Sequence, residues 1–327
     1  MFNDKNDKEE IDFYKRSKKT WVFTFFVIAV LLALTLSISF TGGKEYDRLD
    51  TSVRGFDLTL VLEAGESTNT LKSKALDVFE GVLDDFNNDR LIPEEPLNAG
   101  ERLTVSDSTL ELIKRLYEIS VYTGGLYDFT LGNLKALHDS KGEITVKERD
   151  KALDRCGYFN FEITDDEVRL HQSVRLYLKP VTVAYAMDRA VAAIKEMDEK
   201  QTGYLMVDGD IAIIGARNGN VPWSCSFVSE NDNFLFLKDG ALLQGPVRTI
   251  NPINGKIQES NFNRGFVLTG SALLSRTILI AVSFLSEKEA EDFLTQRSIN
   301  AGLLYDERAL FTARAEELFY NDNDITF

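Results

Sequence analysis

Few side chains in this 327-residue chain are of the kinds that do chemistry in clusters. Its two cysteines, Cys156 and Cys225, are too few for a disulfide framework or a cysteine zinc site, and His138 and His171 lack metal-ligand spacing. The readable polar groupings are short. Tyr127, Asp128 and Thr130 follow a glycine pair, Gly124-Gly125. Tyr127 reads as a core aromatic, and Asp128, after a glycine turn, as a carboxylate that bonds neighbouring backbone. Asp208-Gly209-Asp210 reads as a hairpin turn ahead of a metal site. Glu94-Glu95 and Glu316-Glu317 read as solvated charge. A formal net charge of −15 leaves no surplus of Lys and Arg for phosphate backbones, so nucleic acid is excluded as a partner.

The elements that must position these groups read as mixed α and β. Residues 56–62 begin by alternating, as a strand does. Leu71, Ala75, Val78, Phe79 and Val82 space a helix over 67–88. Ser106 opens a second helix with Leu110, Leu112, Ile113, Leu116 and Ile119 on one stripe, and Gly124-Gly125 stops it. Further helices are expected over 146–155, 183–198, 271–285 and 287–296. Strands are expected near 160–163, 168–178, 204–207, 211–214, 223–228, 233–237 and 264–269. Phe79 and Phe86 belong to a large core. The interleaving implies one α+β domain, not two separable ones.

Upstream, residues 21–40 read WVFTFFVIAVLLALTLSISF without a charge. As a helix the run spans about 30 Å, the thickness of a bilayer's hydrocarbon core. Trp21 stands at its edge, and Lys15, Arg16, Lys18 and Lys19 precede it. The positive-inside rule then gives a cytoplasmic tail over 1–20, a transmembrane anchor over 21–40 and an extracytoplasmic domain over 41–327. The expected location is the cell membrane, crossed once. A cleaved signal peptide is the competing reading. The long tail with Asp4, Asp7, Glu9, Glu10 and Asp12, and an apolar run longer than the usual signal core, favour an uncleaved anchor. No cysteine follows the run, which excludes a lipoprotein anchor.

Thr123-Gly-Gly-Leu-Tyr-Asp-Phe-Thr-Leu-Gly-Asn-Leu134 resembles the T-G-G-A-F-D-P-T-V-G-P-L run of the ApbE-type FAD:protein FMN transferases. The register extends both ways. Tyr177-Leu-Lys-Pro-Val-Thr-Val-Ala-Tyr-Ala-Met-Asp188 sits where that family has D-L-G-G-I-A-K-G-Y-A-V-D. Tyr204-Leu-Met-Val-Asp-Gly-Asp210 sits at its strand ending in Gly-Gly-Asp or Gly-Gly-Asn, and Trp223 at its tryptophan before a strand. Ile250-Asn-Pro-Ile-Asn-Gly255 resembles its I-D-P-x-T-G, and the order holds over residues 45–320. The resemblance implies an ApbE-like fold that handles FAD or FMN, with Tyr127, Asp128, Thr130 and Ile250 at flavin-binding positions. The family's reaction moves FMN from FAD to a threonine of a target flavoprotein outside the cytoplasmic membrane, with magnesium neutralising the phosphates.

The departures fall on that metal and those phosphates. Arg276 and Ile280 stand at the family's metal-binding Asp and Thr; a guanidinium repels magnesium and isoleucine offers no oxygen. Tyr177 replaces an Asp, Lys179 and Pro180 replace two glycines, Val183 a lysine, Ala184 a glycine and Arg248 a histidine. Tyr185, Asp188, Gly209, Pro252 and Gly255 still match. So read, the resemblance implies an inactive homologue without catalytic residues or magnesium, serving as a flavin-binding or assembly subunit. Its partner would be a flavoprotein, a membrane redox complex or an active paralogue. The alternatives are a divergent active transferase or FAD pyrophosphatase, with Lys179, Arg248 and Arg276 supplying the metal's charge, and a structural subunit with no ligand.

Overall fold

A computed structural model describes residues 44–88, 100, 105–141, 144–164, 168–217, 220–226, 233–306, 308–312 and 315–321. The expected anchor over 21–40, its basic flank and Glu94-Glu95 lie outside them. Among the described residues no helix is long and apolar enough to cross a membrane. The chain divides into two units, Met1–Glu45 and Tyr46–Phe327, and the elements below belong to the second.

That unit opens with β1 (Tyr46–Val53), β2 (Phe56–Glu63), α1 (Thr68–Asn88), α2 (Asp107–Tyr122), α3 (Gly132–Lys141) and α4 (Val146–Leu153). There follow β3 (Phe161–Ile163), β4 (Val168–Leu170), α5 (Lys179–Met197), β5 (Gly203–Val207), β6 (Asp210–Gly215), β7 (Trp223–Ser226) and β8 (Asn233–Leu237). Next come β9 (Ala241–Gly245), β10 (Arg248–Ile250), β11 (Ile257–Glu259) and β12 (Arg264–Thr269). The unit closes with α6 (Ala272–Val282), α7 (Glu287–Gln296), β13 (Asn300–Leu304), β14 (Ala309–Thr312), α8 (Ala315–Leu318) and β15 (Phe319–Asn321).

Eight strands make one antiparallel sheet in the order β1-β2-β5-β6-β9-β12-β13-β14. Two of its hairpins close on two-residue turns, Arg54-Gly55 and Asp208-Gly209, with φ of 53° and 87° and of 47° and 90°. Paired positive φ values match the twist of the flanking strands. One face buries Leu58, Leu60, Leu62, Leu205, Val207 and Leu243 with the apolar stripes of α1 and α5. The other face buries Val61, Ile211, Ile213, Leu242 and Phe266 with Trp223, Leu235 and Leu237 of the small β7-β8-β15 sheet. Because both faces are covered, β6 reads as a continuous apolar run after its first residue. Phe79 and Phe86 are fully buried from α1, each contributing about 2–3 kcal/mol by leaving water.

Two elements differ from the sequence expectation where the chain approaches the site. α5 begins at Lys179, four residues ahead of 183, because Pro180 occupies the first turn, where its missing N–H breaks no helical bond. The strand expected over 168–178 ends at Leu170. The residues after it are pinned instead to the Asp128 loop: Tyr177 N donates to Phe129 O at 2.7 Å and Gly132 N to Arg175 O at 2.9 Å. A Cβ at Gly132 would lie 2.6 Å from two carbonyl oxygens, so only glycine permits this approach. The β1, β9, β10, β11, β13 and β14 strands and the α3 helix carry no clear sequence signal and were not expected.

Candidate functional site

A cleft of about 550 Å³ opens beneath the N-terminus of α5, where the ends of β5, β6 and β9 meet α6. Its floor is an ion pair. Asp210, the first residue of β6, pairs through Oδ2 with Arg276 Nη2 of α6. Asp210 Oδ1 accepts the Gln244 N–H at 2.9 Å, and Arg276 Nη1 donates to Gln244 O at 3.2 Å. The Gln244 side-chain amide donates to Gly209 O at 2.8 Å, tying the β5–β6 turn into the same ring of bonds. Side-chain exposure is 20% for Arg276 and 11% for Asp210, so the pair is largely out of water. Burial pushes the Asp210 carboxyl above its ordinary value; the Arg276 charge and the Gln244 amide pull it back without cancelling that push.

Asp188 on α5 has a different set of partners. It accepts Ser271 Oγ at 2.6 Å, Ala272 N at 2.6 Å and Leu273 N at 3.0 Å. These donors form the N-terminus of α6, where a carboxylate satisfies free amides and complements the helix dipole. Burial raises this carboxyl too, against the three hydrogen bonds. Tyr185, one turn earlier, is buried and donates to Ser108 O at 3.1 Å.

The donor set does not fit magnesium. Both oxygens of Asp210 are committed within the protein, Arg276 holds a positive charge at the expected ligand position, and Ile280 is buried one turn on. Hard divalent cations need several free oxygen ligands. Among the described residues no three His, Cys, Asp or Glu side chains converge in a way that could hold a metal.

Tyr127, Asp128 and Ile250 meet, but around a second and much smaller cavity of about 10 Å³, room for a single water. Tyr177, Thr249 and Ile280 line it too, and Pro180 lines both this cavity and the cleft. Asp128 accepts Thr130 N at 2.8 Å and Thr130 Oγ1 at 2.7 Å. Thr130 Oγ1 in turn accepts Gly157 N at 2.6 Å and lies fully buried outside the cavity lining. Burial pushes the Asp128 carboxyl up despite the Thr130 bonds. It pushes the Tyr127 phenol up strongly, and the Tyr127 hydroxyl has no hydrogen-bond partner among the described residues.

The remaining sequence candidates disperse. Lys179 and Arg276 reach the cleft, while Arg248 is exposed on β10 and does not line it. His138 Nε2 bonds Gly255 O at 2.9 Å, holding α3 to the β10–β11 loop. Burial raises both Cys156 and Cys225 to about 12, which makes them poor nucleophiles. Asp208-Gly209 is the expected turn, but Asp210 belongs to the strand and to the ion pair. Gln244, Arg264 and Phe56, also on the cleft, had not been singled out. The one available signal was a carboxylate heading an apolar strand together with an arginine inside an apolar helix, since buried charges need partners.

The ApbE family model matches residues 55–241. Among solved structures, the ApbE protein of Thermotoga maritima aligns with a TM-score of 0.68 at 18% identity, covering 84% of this chain and 99% of that one. The apo flavinyl transferase ApbE of Pseudomonas stutzeri aligns at 0.72 with 16% identity, covering 85% and 97%. The flavin transferase ApbE of Vibrio cholerae aligns at 0.68 with 16% identity, covering 84% and 99%. No curated protein sequence matches the chain.

Proposed function

The chain belongs to the ApbE family, and from that premise we propose that it is a catalytically inactive member, acting as a flavin-binding or assembly subunit for a flavoprotein or membrane redox complex. The observation that carries this reading is the Arg276–Asp210 pair. Transfer of FMN from FAD needs charge neutralised on a pyrophosphate, and the family does this with magnesium. Here a guanidinium stands at the ligand position and consumes the neighbouring carboxylate. The uncharged run over 21–40 and its basic flank support a single membrane anchor with the ApbE-like domain outside.

The test is incubation of the purified chain with FAD, magnesium and a family-type acceptor domain. The expected result is no in-gel flavin fluorescence on the acceptor and no FAD hydrolysis above a protein-free control. Either signal would establish the second reading, a divergent active transferase or pyrophosphatase. That reading draws on three cations, Lys179, Arg264 and Arg276, lining one cleft. Topology is tested separately: Glu45→Cys should react with a membrane-impermeant thiol reagent in intact cells, and labelling only after lysis would reverse the orientation.

A further inference from the structure

We propose that the outer edge of β1 pairs antiparallel with β1 of a second copy of this chain, with Leu49 on the two-fold axis between them. This surface lies apart from the cleft, and its use does not depend on whether the chain retains chemistry there.

β1 ends the eight-stranded sheet, and among the described residues no strand lies beyond it. Which of its backbone groups face outward follows from β2. Glu63 N donates to Thr202 O at 2.9 Å and Asp208 N to Asp57 O at 3.0 Å, so the odd-numbered residues of β2 bond toward β5. Its even-numbered residues bond toward β1, where the register sets Leu58, Leu60 and Leu62 opposite Thr51, Leu49 and Asp47. The amides and carbonyls of Arg48, Asp50 and Ser52 therefore point to the open edge.

An open edge is a template for another strand, and proteins blunt it by shortness, proline, a bulge or charge. β14, at the opposite edge, has four residues. β1 has eight, without proline and with an unbroken register. Its charges are of both signs. Asp47 is already held by the buried Lys72 at 2.7 Å. Arg48 and Asp50 stand two positions apart on one face of the strand, each with 58% side-chain exposure.

Those two residues fix the register. In an antiparallel self-pair the outward-pointing residues face one another, which puts one residue of β1 on the two-fold axis. Centring on Arg48 sets guanidinium against guanidinium, and centring on Asp50 sets carboxylate against carboxylate. Centring on Asp47 brings that carboxylate to its own copy, and centring on Thr51 brings Arg48 to Arg54. Centring on Leu49 sets Arg48 opposite Asp50 of the second copy, once on each side of the axis. The Arg48–Asp50 pair within the chain, Nε to Oδ2 at 2.7 Å, then becomes half of a ring of four alternating charges. Opposite charges directly across a strand pair stabilise it, and like charges destabilise it. Leu49, half-buried, meets its own copy in a non-hydrogen-bonded pair, where side chains approach most closely.

Oxidative cross-linking and sedimentation equilibrium of the full-length chain test this. Cys156 and Cys225 are buried, so the parent contributes little background. Leu49→Cys should form an intermolecular disulfide with copper phenanthroline, since the Cα atoms of a non-hydrogen-bonded pair lie about 4.5 Å apart, within disulfide range. Thr51→Cys should cross-link at least about tenfold more slowly, its two copies being displaced by four residues, roughly 13 Å. With the native cysteines alone, Arg48→Asp and Asp50→Arg should each weaken self-association about tenfold, by making both cross-strand pairs repulsive. Combining them exchanges the charges and should restore association to within about threefold. A parent that stays monomeric at every concentration, with no Leu49→Cys dimer, would overturn the proposal and leave the edge to a strand of other sequence. Equal cross-linking at positions 49 and 51 would overturn it too, as would a charge exchange that associates no better than either single variant.

Discussion

Asp188 and Asp210 are both carboxylates withdrawn from water, both raised by burial, and both set against α6. Their partners differ in kind. Asp188 takes three neutral donors at the start of α6, so its role is to fasten one helix to another. Asp210 takes a guanidinium from the middle of α6, so its role is to match a charge. The α6 N-terminus is closed by its carboxylate. The N-terminus of α5 has no side-chain cap and faces the cleft with Lys179 and Pro180. Burial of a carboxylate therefore says little about function until its partners are known.

The largest expected effect comes from unmatching the charged region. Arg276→Ala leaves Asp210 buried without its cation, and removing one partner of a buried pair costs about 3–5 kcal/mol. Chemical unfolding should show that loss at neutral pH and a smaller loss in acid, where Asp210 is protonated. Adding Asp210→Asn to Arg276→Ala should recover most of it. No recovery would mean that Arg276 acts through packing, and the contrast with Asp188 would fail.

Asp188→Ala should cost less, about 2 kcal/mol, through lost capping bonds and freed amides at α6. The loss should persist at low pH, because a protonated Asp188 still accepts hydrogen bonds. A pH dependence as steep as that of Arg276→Ala would erase the distinction.

Asp128 sharpens the comparison from a third side, since neutral donors hold it beside a closed cavity. Its folded pKa is raised by burial, so its stabilising contribution is full below the ordinary aspartate value and is lost as pH rises through the folded value. Asp128→Asn removes that titration and keeps an acceptor for Thr130. The stability of the variant minus that of the parent should therefore grow with pH across this window. A flat difference would show that folding leaves the Asp128 pKa where it stands in the unfolded chain.

The smallest effect is expected at Tyr127. Its hydroxyl is buried without a partner, so Tyr127→Phe should be neutral or stabilising by up to about 1 kcal/mol. A clear loss would reveal a water or ligand bonded to it inside the small cavity.

Helices with local punctuation were legible in the sequence. Ser106 accepts Thr109 N at 3.2 Å, and Thr145 and Ser286 each form a capping box, so α2, α4 and α7 announce their own starts. The β9, β13 and β14 strands are short and lack alternation; β9 and β13 exist because neighbours on both sides complete their hydrogen bonds, and β14 because it pairs with β13 at the sheet edge. Arg276, Ile280 and Lys179 were legible as departures from a family pattern. The Arg276–Asp210 contact was not, because its partners lie 66 positions apart and no local rule joins them. The Asp188 cap, spanning 83 to 85 positions, was hidden for the same reason, although Asp188 itself had been recognised as retained. The closing of the Tyr127 cavity depends on the packing of Pro180, Tyr177 and Ile280 around it, which spacing alone does not encode.

The proposal that the Arg276–Asp210 pair stands where the family holds its metal is tested most directly by thermal melts in EDTA and in millimolar magnesium. A ligand binding only the native state at a hundred times its dissociation constant adds about 2.7 kcal/mol of stability. In a domain of this size that is a shift of several degrees. With Arg276 and Asp210 paired, the two melts should superimpose. A magnesium-dependent rise of several degrees, abolished by Asp210→Asn, would contradict the assignment and restore the cleft as a metal centre.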